Sequence, residues 1–192
     1  MENNKERFMS ILKPVAARRK GLEKLLEWLE KTDFFTAPAS TRFHGAYEGG
    51  LLEHSLNVFD AFHKLFDSDG DDQDEVAIIT LLHDVCKSNF YTVEMRNRKN
   101  EHGAWVQVPF YTVEDQFPYG HGEKSVFLIE RFMRLKTEEA VAIRWHMGGF
   151  DEAARGGSFA ISNAYDKYPL AVKLHMADMY ASYIMEERGA AR

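Results

Sequence analysis

Apolar residues recur at intervals of three and four positions over most of this chain, which is the spacing of one buried face of an α-helix. Six stretches show the pattern: residues 4–31, 50–66, 74–87, 122–135, 138–147 and 169–187. We expect Pro14 to interrupt the first stretch, Thr137 to cap the helix that starts at 138, and Pro169 to occupy the first turn of the last helix. The sequence therefore predicts a mainly α-helical protein.

Two segments depart from the helical pattern. Residues 91–95 alternate between apolar and polar side chains, residues 97–100 are typical of a turn, and an extended pattern resumes at Trp105. We predict a small β-hairpin, inserted between helices over about residues 90–113. The acidic run from Asp67 to Asp74 is predicted to be a solvated loop that brings acidic residues to the N-terminus of the next helix.

Composition and charge limit the class of protein. Apolar residues make up 45% of the 192 residues, which is enough to bury the core of one domain and argues against disorder or a fibre. Thirty acidic residues against 24 basic ones give a net charge of −6, so no strong basic field attracts an extended nucleic acid. A single cysteine, Cys86, cannot form an internal disulfide, and no window approaches the roughly 18 apolar residues of a membrane span. We expect a reduced, cytoplasmic protein with no membrane partner.

Several histidine and aspartate residues occupy positions where a purely structural helix would carry an aliphatic side chain. His54 has Leu51 three residues before it and Val58 four after it, so a helical wheel places its imidazole on the inward stripe. Asp84 ends a strongly apolar run and Asp178 lies among apolar residues at helical spacing, although an unpaired carboxylate is costly to bury. One buried histidine is more often a core residue than a ligand, but several such residues together indicate a bound cation.

The ligand types narrow the choice of metal. A ligand set of imidazole and carboxylate groups suits Mn, Fe, Co, Ni or Zn. It suits Mg less well, because Mg prefers oxygen ligands only, but Mg stays an alternative. Neighbouring residues on a helix point about 100° apart, so His83 and Asp84 can reach one ion only near the end of the helix or through a bridging carboxylate. Two ions roughly 3.5–4 Å apart, with Asp84 between them, would use this geometry.

Four of these side chains, in chain order, resemble the H…HD…D signature of the HD-domain metal-dependent phosphohydrolase superfamily: His54, His83, Asp84 and Asp178. His121 and His146 fall where the two-metal members add histidines. Four surrounding segments are also similar: residues 43–54, 81–87, 120–125 and 174–178. The chain resembles especially the HD domain of bacterial 3′-to-5′ exoribonucleases, over about residues 40–187. Those enzymes also carry an OB-fold nucleic-acid domain, which we do not expect within these 192 residues.

The resemblance implies a fold and a reaction. The fold is an all-α HD-domain helical bundle that spans residues 1–192 as one domain, with packing helices at 1–40 and the metal-binding core at 41–187. The reaction is hydrolysis of a phosphate ester or anhydride by a metal-activated hydroxide at a dinuclear site. The sequence has no P-loop, G-x-S-x-G or strand-linked G-x-G-x-x-G motif that would indicate other chemistry. The expected substrate is a nucleotide or short oligonucleotide rather than a polynucleotide.

The resemblance also implies which residues bind the metals. The first ligand set is His54, His83, Asp84 and Asp178. The second ligand set is Asp84, His121 and His146. Two alternatives stay open: a mononuclear nucleoside monophosphate phosphatase that uses only the first set, and a metal-stabilised nucleotide-binding regulatory module without turnover. The number of metal ions bound per chain distinguishes the mononuclear phosphatase from the dinuclear enzyme. Hydrolysis of a panel of phosphoesters distinguishes an enzyme from a module without turnover.

Four basic residues are candidates for binding substrate: Arg42, His44, Lys87 and Lys124. Lys87 lies one turn beyond His83, where it would place an ammonium near a bound phosphate or would only complement the helix dipole. Asp84 and Lys87 are the expected catalytic residues. Lys124 lies at a helix start, where the positive end of the dipole also favours an anion. Arg42 and His44 precede a helix on the expected substrate side, where they would hold phosphate or base, or would be solvated.

Other polar residues are expected to lie outside the two ligand sets. His63 is nine residues after His54, half a turn away on the helical wheel, and His102 falls in the hairpin turn. Cys86 is expected to be a small buried hydrophobe that points away from the metals. His175, three residues before Asp178, either orients a ligand from behind or is simply packed.

Overall fold

The computed structural model describes residues 2–66 and 70–186. Helices account for most of this part of the chain: α1 (Glu2–Ala16), α2 (Leu22–Leu29), α3 (Gly50–Phe66), α4 (Gln73–Leu82), α5 (His121–Glu130), α6 (Thr137–Trp145), α7 (Glu152–Arg155), α8 (Ala160–Lys167) and α9 (Pro169–Tyr180). Short 3₁₀ turns lie at Val85–Lys87 and Gly148–Phe150, and a π-helical turn follows α9 at Ala181–Met185. This architecture confirms the predicted all-α fold class. None of the described helices combines the length and the hydropathy needed to cross a bilayer.

The core forms where α3 packs against α4 and α9, while α6 packs against α5 and α9. α1 covers α3 and α4 and contributes the fully buried Phe8. Leu51, Ile79 and Leu174 are also fully buried there. Burying a side chain of this size contributes about 1.5–3 kcal/mol. The packing brings the N-terminal part of α3, the end of α4 and the last turns of α9 close together, although they are far apart in sequence.

The hairpin between α4 and α5 consists of β1 (Tyr91–Lys99) and β2 (Trp105–Val113), which pair in antiparallel register along their full length. The insertion is confirmed, but the predicted turn at residues 97–100 was wrong. Strand pairing continues through Lys99, and the turn covers residues 100–104. Asn100 holds this turn, because its side-chain oxygen accepts two backbone N–H bonds.

Several observed helix boundaries differ from the predicted ones: α5, for example, ends at Glu130 rather than at residue 135. α1 continues through Pro14 and ends two residues later, where the Val15 carbonyl accepts the N–H groups of the two arginines that follow. α6 begins at Thr137 itself, so Thr137 is not the N-cap. The residue before it, Lys136, has this role, and the Glu139 carboxylate accepts the Lys136 backbone N–H at 2.7 Å.

Two segments lie between the main helices: the acidic run before α4, and the stretch of α7 and α8 before α9. The acidic run includes residues 67–69, which lie outside the described residues. In the remaining part, the Asp72 carboxylate accepts the Asp74 N–H at 2.9 Å and caps α4, as expected for an acidic residue at a helix N-terminus. α7 and α8 were not predicted because few apolar residues mark them: α7 has no buried residue and α8 buries only Ala164.

Candidate metal centre

Six side chains from five parts of the fold meet at one place in the interior. His54 lies on α3, His83 and Asp84 follow α4, His121 begins α5, His146 follows α6, and Asp178 lies on α9. α4 ends at Leu82 rather than at the predicted residue 87, so the His83-Asp84 pair lies in the turn after the helix. The structure thus brings together all the residues that the sequence predicted as ligands.

The donor atoms of His54, His83 and Asp84 lie close together, and Asp178 adjoins His54 and His83. His54 Nε2 lies 3.3 Å from His83 Nε2, 3.3 Å from Asp178 Oδ1 and 3.7 Å from Asp84 Oδ2. His83 Nε2 is 3.5 Å from Asp84 Oδ2. Donor atoms bound to one first-row ion at about 2.0–2.2 Å lie roughly 3–3.6 Å apart. The spacing of His54, His83 and Asp84 therefore fits a shared ion, and Asp178 lies beside this group.

The other oxygen of Asp84 faces the second ligand set. Asp84 Oδ1 lies 2.8 Å from His121 Nε2 and 3.6 Å from His146 Nε2. Asp84 Oδ2, in contrast, faces His54 and His83 and accepts a hydrogen bond from Lys87 Nζ at 2.7 Å. One carboxylate therefore presents its two oxygens to two different pairs of imidazoles, as a carboxylate that bridges two cations does.

Backbone carbonyls fix the orientation of two of the imidazoles. Nδ1–H of His83 donates to the Thr80 carbonyl at 2.8 Å, and Nδ1–H of His146 donates to the Ile143 carbonyl at 2.6 Å. Metal-binding histidines usually donate their second ring N–H in this way, which sets the tautomer and leaves Nε2 free to bind the ion. Each donating residue is three positions after its acceptor, so the end of the helix itself sets the ring orientation.

His146 provides a further test of whether a metal fits. Its Nε2 atom is buried and has no hydrogen-bond partner among the described residues. A buried polar atom without a partner costs about 1–3 kcal/mol. A cation between this atom and Asp84 Oδ1 would remove that cost. Because imidazole and carboxylate donors suit first-row divalent ions, the residues present fit such a metal.

Burial and neighbouring charges shift the pKa values of the clustered side chains in different directions. Burial lowers the pKa of His83 to about 3. Burial also acts on His54, but the carboxylates of Asp178 and Glu186 outweigh it and raise the pKa to about 10. Burial alone would raise the pKa of Asp84, yet a neighbouring lysine and the imidazoles hold this pKa well below its ordinary value. The carboxylates are thus ionised and compensated by nearby cations.

Two residues that the sequence did not predict as functional touch the imidazoles from outside. The Glu186 carboxylate accepts N–H bonds from His54 Nδ1 at 2.9 Å and from the Asn57 side chain at 3.1 Å. The Cys86 sulfur lies 3.4 Å from Nδ1 of His121, so the prediction that it points away from the metals was wrong. That prediction assumed a regular helix, whereas the 3₁₀ turn after α4 directs Cys86 toward α5.

The remaining histidines surround the cluster or lie away from it. Nδ1–H of His175 donates to the backbone carbonyl of His146 at 2.7 Å, which supports the second ligand set from behind. His63 packs its ring against Phe59, with centroids 4.5 Å apart, and His102 is exposed in the hairpin turn. Both lie outside the cluster, as the sequence predicted.

A cavity of about 560 Å³, called the main pocket from here on, opens over the cluster. Two of the four predicted substrate-binding residues, His44 and Lys87, line it. The His44 ring centroid is 4.9 Å from that of His54, and burial lowers the pKa of His44 to about 4, so this imidazole is neutral at pH 7. Arg42 is exposed, lies over the Phe43 ring at 5.5 Å, and is not among the residues that line the cavity.

A second cavity of about 620 Å³, called the side pocket, adjoins the main pocket. Lys124 lines the side pocket rather than the main pocket. Its Nζ atom is 2.5 Å from Asp115 Oδ1 and 4.9 Å from the centroid of the Phe90 ring. This pairing does not favour the phosphate-binding role that the sequence predicted for Lys124.

Comparison with known proteins adds one finding. A family model described as the HD domain matches residues 51–182, which is more than half of the chain. The matched region includes all six clustered side chains and ends before Glu186. No curated protein and no solved structure gives a significant match. The chain therefore belongs to the HD-domain family.

Proposed function

We propose that this protein is a phosphohydrolase that acts through two divalent transition-metal ions on a small phosphorylated substrate, a nucleotide or short oligonucleotide. The observation that carries the proposal is the position of Asp84, whose Oδ2 faces His54 and His83 while its Oδ1 faces His121 and His146. Because the Lys87 ammonium already compensates this buried carboxylate, the two pairs of inward imidazoles around it are not needed to balance its charge. The arrangement does, however, suit a dinuclear hydrolytic site.

The donor set supports Mn, Fe, Co, Ni or Zn as the metal, with Mg as an alternative. When bound, such ions lower the pKa of water toward neutrality and polarise a phosphoryl oxygen. His54, His83 and Asp178 would hold one ion together with Asp84. His121 and His146 would hold the other.

We assign to Lys87 the role of binding the phosphoryl group of the substrate. Its ammonium donates to Asp84 Oδ2 at 2.7 Å and lines the main pocket beside the cluster. Burial lowers the pKa of Lys87, but Asp84 and Tyr91 outweigh burial and raise it above its ordinary value, so the group is charged at neutral pH. A fixed positive charge at this position would stabilise the negative charge that develops on phosphoryl oxygens as water attacks phosphorus.

The walls of the main pocket support a nucleotide as the organic part of the substrate. Phe43, Tyr91 and Tyr183 offer aromatic faces, and the Ser40 and His44 side chains add polar groups. The Tyr91 hydroxyl donates to the Ala39 carbonyl at 3.0 Å, which fixes that ring against the loop before α3. A volume of about 560 Å³ is within the range of small-molecule sites.

The test combines metal analysis with a substrate panel. We expect protein loaded with Mn, Fe, Co, Ni, Zn or Mg to contain two ions per chain and to release product from at least one phosphomonoester or phosphodiester. His83→Ala should lose both metal and activity. One ion per chain in a fully active sample would contradict the dinuclear site, and nucleotide binding without hydrolysis at any metal would contradict the enzymatic function.

A further inference from the structure

The side pocket shares a wall with the main pocket, and that wall contains a residue of the metal centre. Phe90, His121, Met147 and Phe150 line both cavities. His121 Nε2 also lies 2.8 Å from Asp84 Oδ1. A phosphoryl group bound at the cluster therefore has space on two sides, the main pocket on one and the side pocket on the other.

The charges around the side pocket disfavour a second phosphate there. Four carboxylates line it: Asp115, Glu123, Asp151 and Glu152. Its only lining lysine or arginine among the described residues, Lys124, is already paired with Asp115 at 2.5 Å. Arg144, from α6, pairs with Glu123 and with Asp151, the latter at 2.8 Å. The carboxylates outnumber the cations that neutralise them, so an anionic ligand would be repelled.

The apolar part of the side pocket favours a flat group. Phe90 and Phe150 offer ring faces, and Pro118, Met147 and Ala153 add apolar surface. Carboxylates beside such walls can accept hydrogen bonds from amino or hydroxyl groups. An uncharged, planar group that carries donors, such as a nucleoside, combines both properties.

We propose that the side pocket binds the second organic group of a phosphodiester whose first group lies in the main pocket. This inference rests on the proposed function and specifies its substrate: two uncharged nucleoside-like groups joined by one phosphate. In the reaction, the oxygen of water bonds to phosphorus and the P–O bond to one group breaks. That group leaves as an alcohol with one proton of the water, and the other group remains as a phosphomonoester.

A substitution that fills the side pocket tests the proposal. Ala153 is exposed and lines the side pocket near the start of α7, so Ala153→Trp should obstruct the cavity without disturbing the core. We expect the ratio of kcat/KM for a dinucleoside monophosphate to kcat/KM for a nucleoside monophosphate to fall at least about tenfold. Arg155→Trp, on the same helix and outside the pocket lining, is the matched control and should leave this ratio unchanged. An unchanged ratio in Ala153→Trp overturns the proposal.

The negative charge of the carboxylates that line the side pocket allows a second test. A dinucleotide with a terminal phosphate at the end that enters this pocket should be cleaved more slowly than the unphosphorylated dinucleotide. Glu152 is exposed at the pocket wall, and Glu152→Lys should reduce that difference. If neither a 5′- nor a 3′-terminal phosphate slows cleavage, the assigned ligand class is wrong.

Failure of the proposed function is distinguishable from failure of this inference. If no phosphoester is cleaved with any metal, the hydrolase proposal fails, and binding of the dinucleoside monophosphate is measured by calorimetry instead. Weaker binding to Ala153→Trp than to Arg155→Trp then supports the side pocket as a ligand site. Equal binding to both variants overturns it.

Discussion

The Nδ1 atom of His54 lies 2.9 Å from the Oε1 atom of Glu186, a carboxylate 132 positions later in the chain. Both side chains are almost completely enclosed, at 1% and 5% exposure. Asn57 donates to the same carboxylate oxygen at 3.1 Å and holds it in place. The carboxylate thus orients His54 so that Nε2 faces Asp84 and Asp178.

Replacing Glu186 with Gln should weaken metal binding by about 10–100-fold, since an outer carboxylate both orients a histidine ligand and increases its basicity. Glu101→Gln, in the exposed hairpin turn, is the control and should bind metal like the unmodified protein. Metal affinity is measured by competition with a chelator, and circular dichroism checks the fold. Unchanged affinity in Glu186→Gln would show that Glu186 serves packing only.

Removing a ligand of the second set alone and removing the ligand common to both sets should have different effects on the number of bound ions. His146→Ala removes a ligand of the second set, so one of the two ions should be lost while the first set keeps its own. Asp84→Ala removes the residue common to both sets and should abolish metal content and activity. Elemental analysis of purified protein distinguishes these outcomes.

His63→Ala is the control for these substitutions, because His63 packs against Phe59 away from the cluster. It should leave metal content and activity intact. Equal metal content in all three variants would contradict the assignment of the cluster as a metal centre.

Sequence periodicity predicted the main helices because each buries a continuous apolar stripe, as α3 does at Leu51, Leu52, Leu56 and Val58. The hairpin could also be predicted, because the spacing of its apolar residues changes from every three or four positions to every second position. α7 and α8 could not be predicted, since neither depends on such a stripe and both follow the glycine-rich turn at Gly148 and Gly149. The helix boundaries depend on local caps, such as the Glu139 carboxylate at Lys136, which periodicity does not describe.

The clustered side chains could be predicted because imidazoles and carboxylates on inward positions conflict with burial unless they have partners. Glu186 gave no such signal, because it follows the π-helical turn at Ala181–Met185, where the helical spacing changes. The predicted direction of the Cys86 side chain was wrong for a related reason. A helical wheel assumes a regular α-helix, whereas Cys86 lies in a 3₁₀ turn. Both errors arise where irregular helix follows regular helix.

Lys87→Met keeps the hydrocarbon stem but removes the ammonium that contacts Asp84 Oδ2. We expect turnover to fall by about 10²-fold, the usual effect of deleting one group that stabilises transition-state charge, while the metal is retained. Lys167→Met, at an exposed position on α8, is the matched control. Steady-state kinetics and elemental analysis are measured together. Loss of metal in Lys87→Met would instead indicate a structural role.

Metal binding should release protons. Burial opposes protonation of His54 and His121, but their neighbours raise both pKa values to about 10, so both imidazoles are protonated at pH 7 in the metal-free chain. A protonated imidazole cannot bind a metal, so affinity should increase with pH. Calorimetry in two buffers of different ionisation enthalpy measures the number of protons released. A value of zero would contradict ligation by these histidines.

The same pKa shifts determine how the folding stability of the metal-free protein depends on pH. A histidine whose pKa is higher in the folded state stabilises that state fully below its ordinary value of 6.5, and this contribution is lost as pH rises toward about 10. Denaturant unfolding of the metal-free protein should therefore show falling stability over this range. His54→Gln should flatten the decline, and an equally steep decline in that variant would exclude His54 as its cause.

The close approach of α5 to α6 at Gly122 gives a prediction that links packing to the metal centre. A Cβ atom at Gly122 would lie 2.2 Å from the backbone oxygen of Arg144, so Gly122→Ala must push the two helices apart. His121 directly precedes Gly122 and His146 is two residues after Arg144, so the two histidines would separate with the helices. We expect a loss of about 1–3 kcal/mol in the free energy of unfolding, together with weaker binding of the second ion. At Gly149, in contrast, an added Cβ meets nothing within 4 Å, so Gly149→Ala should change neither quantity. Denaturant unfolding and elemental analysis of both variants test the prediction, and equal behaviour of the two would show that α5 and α6 separate without cost.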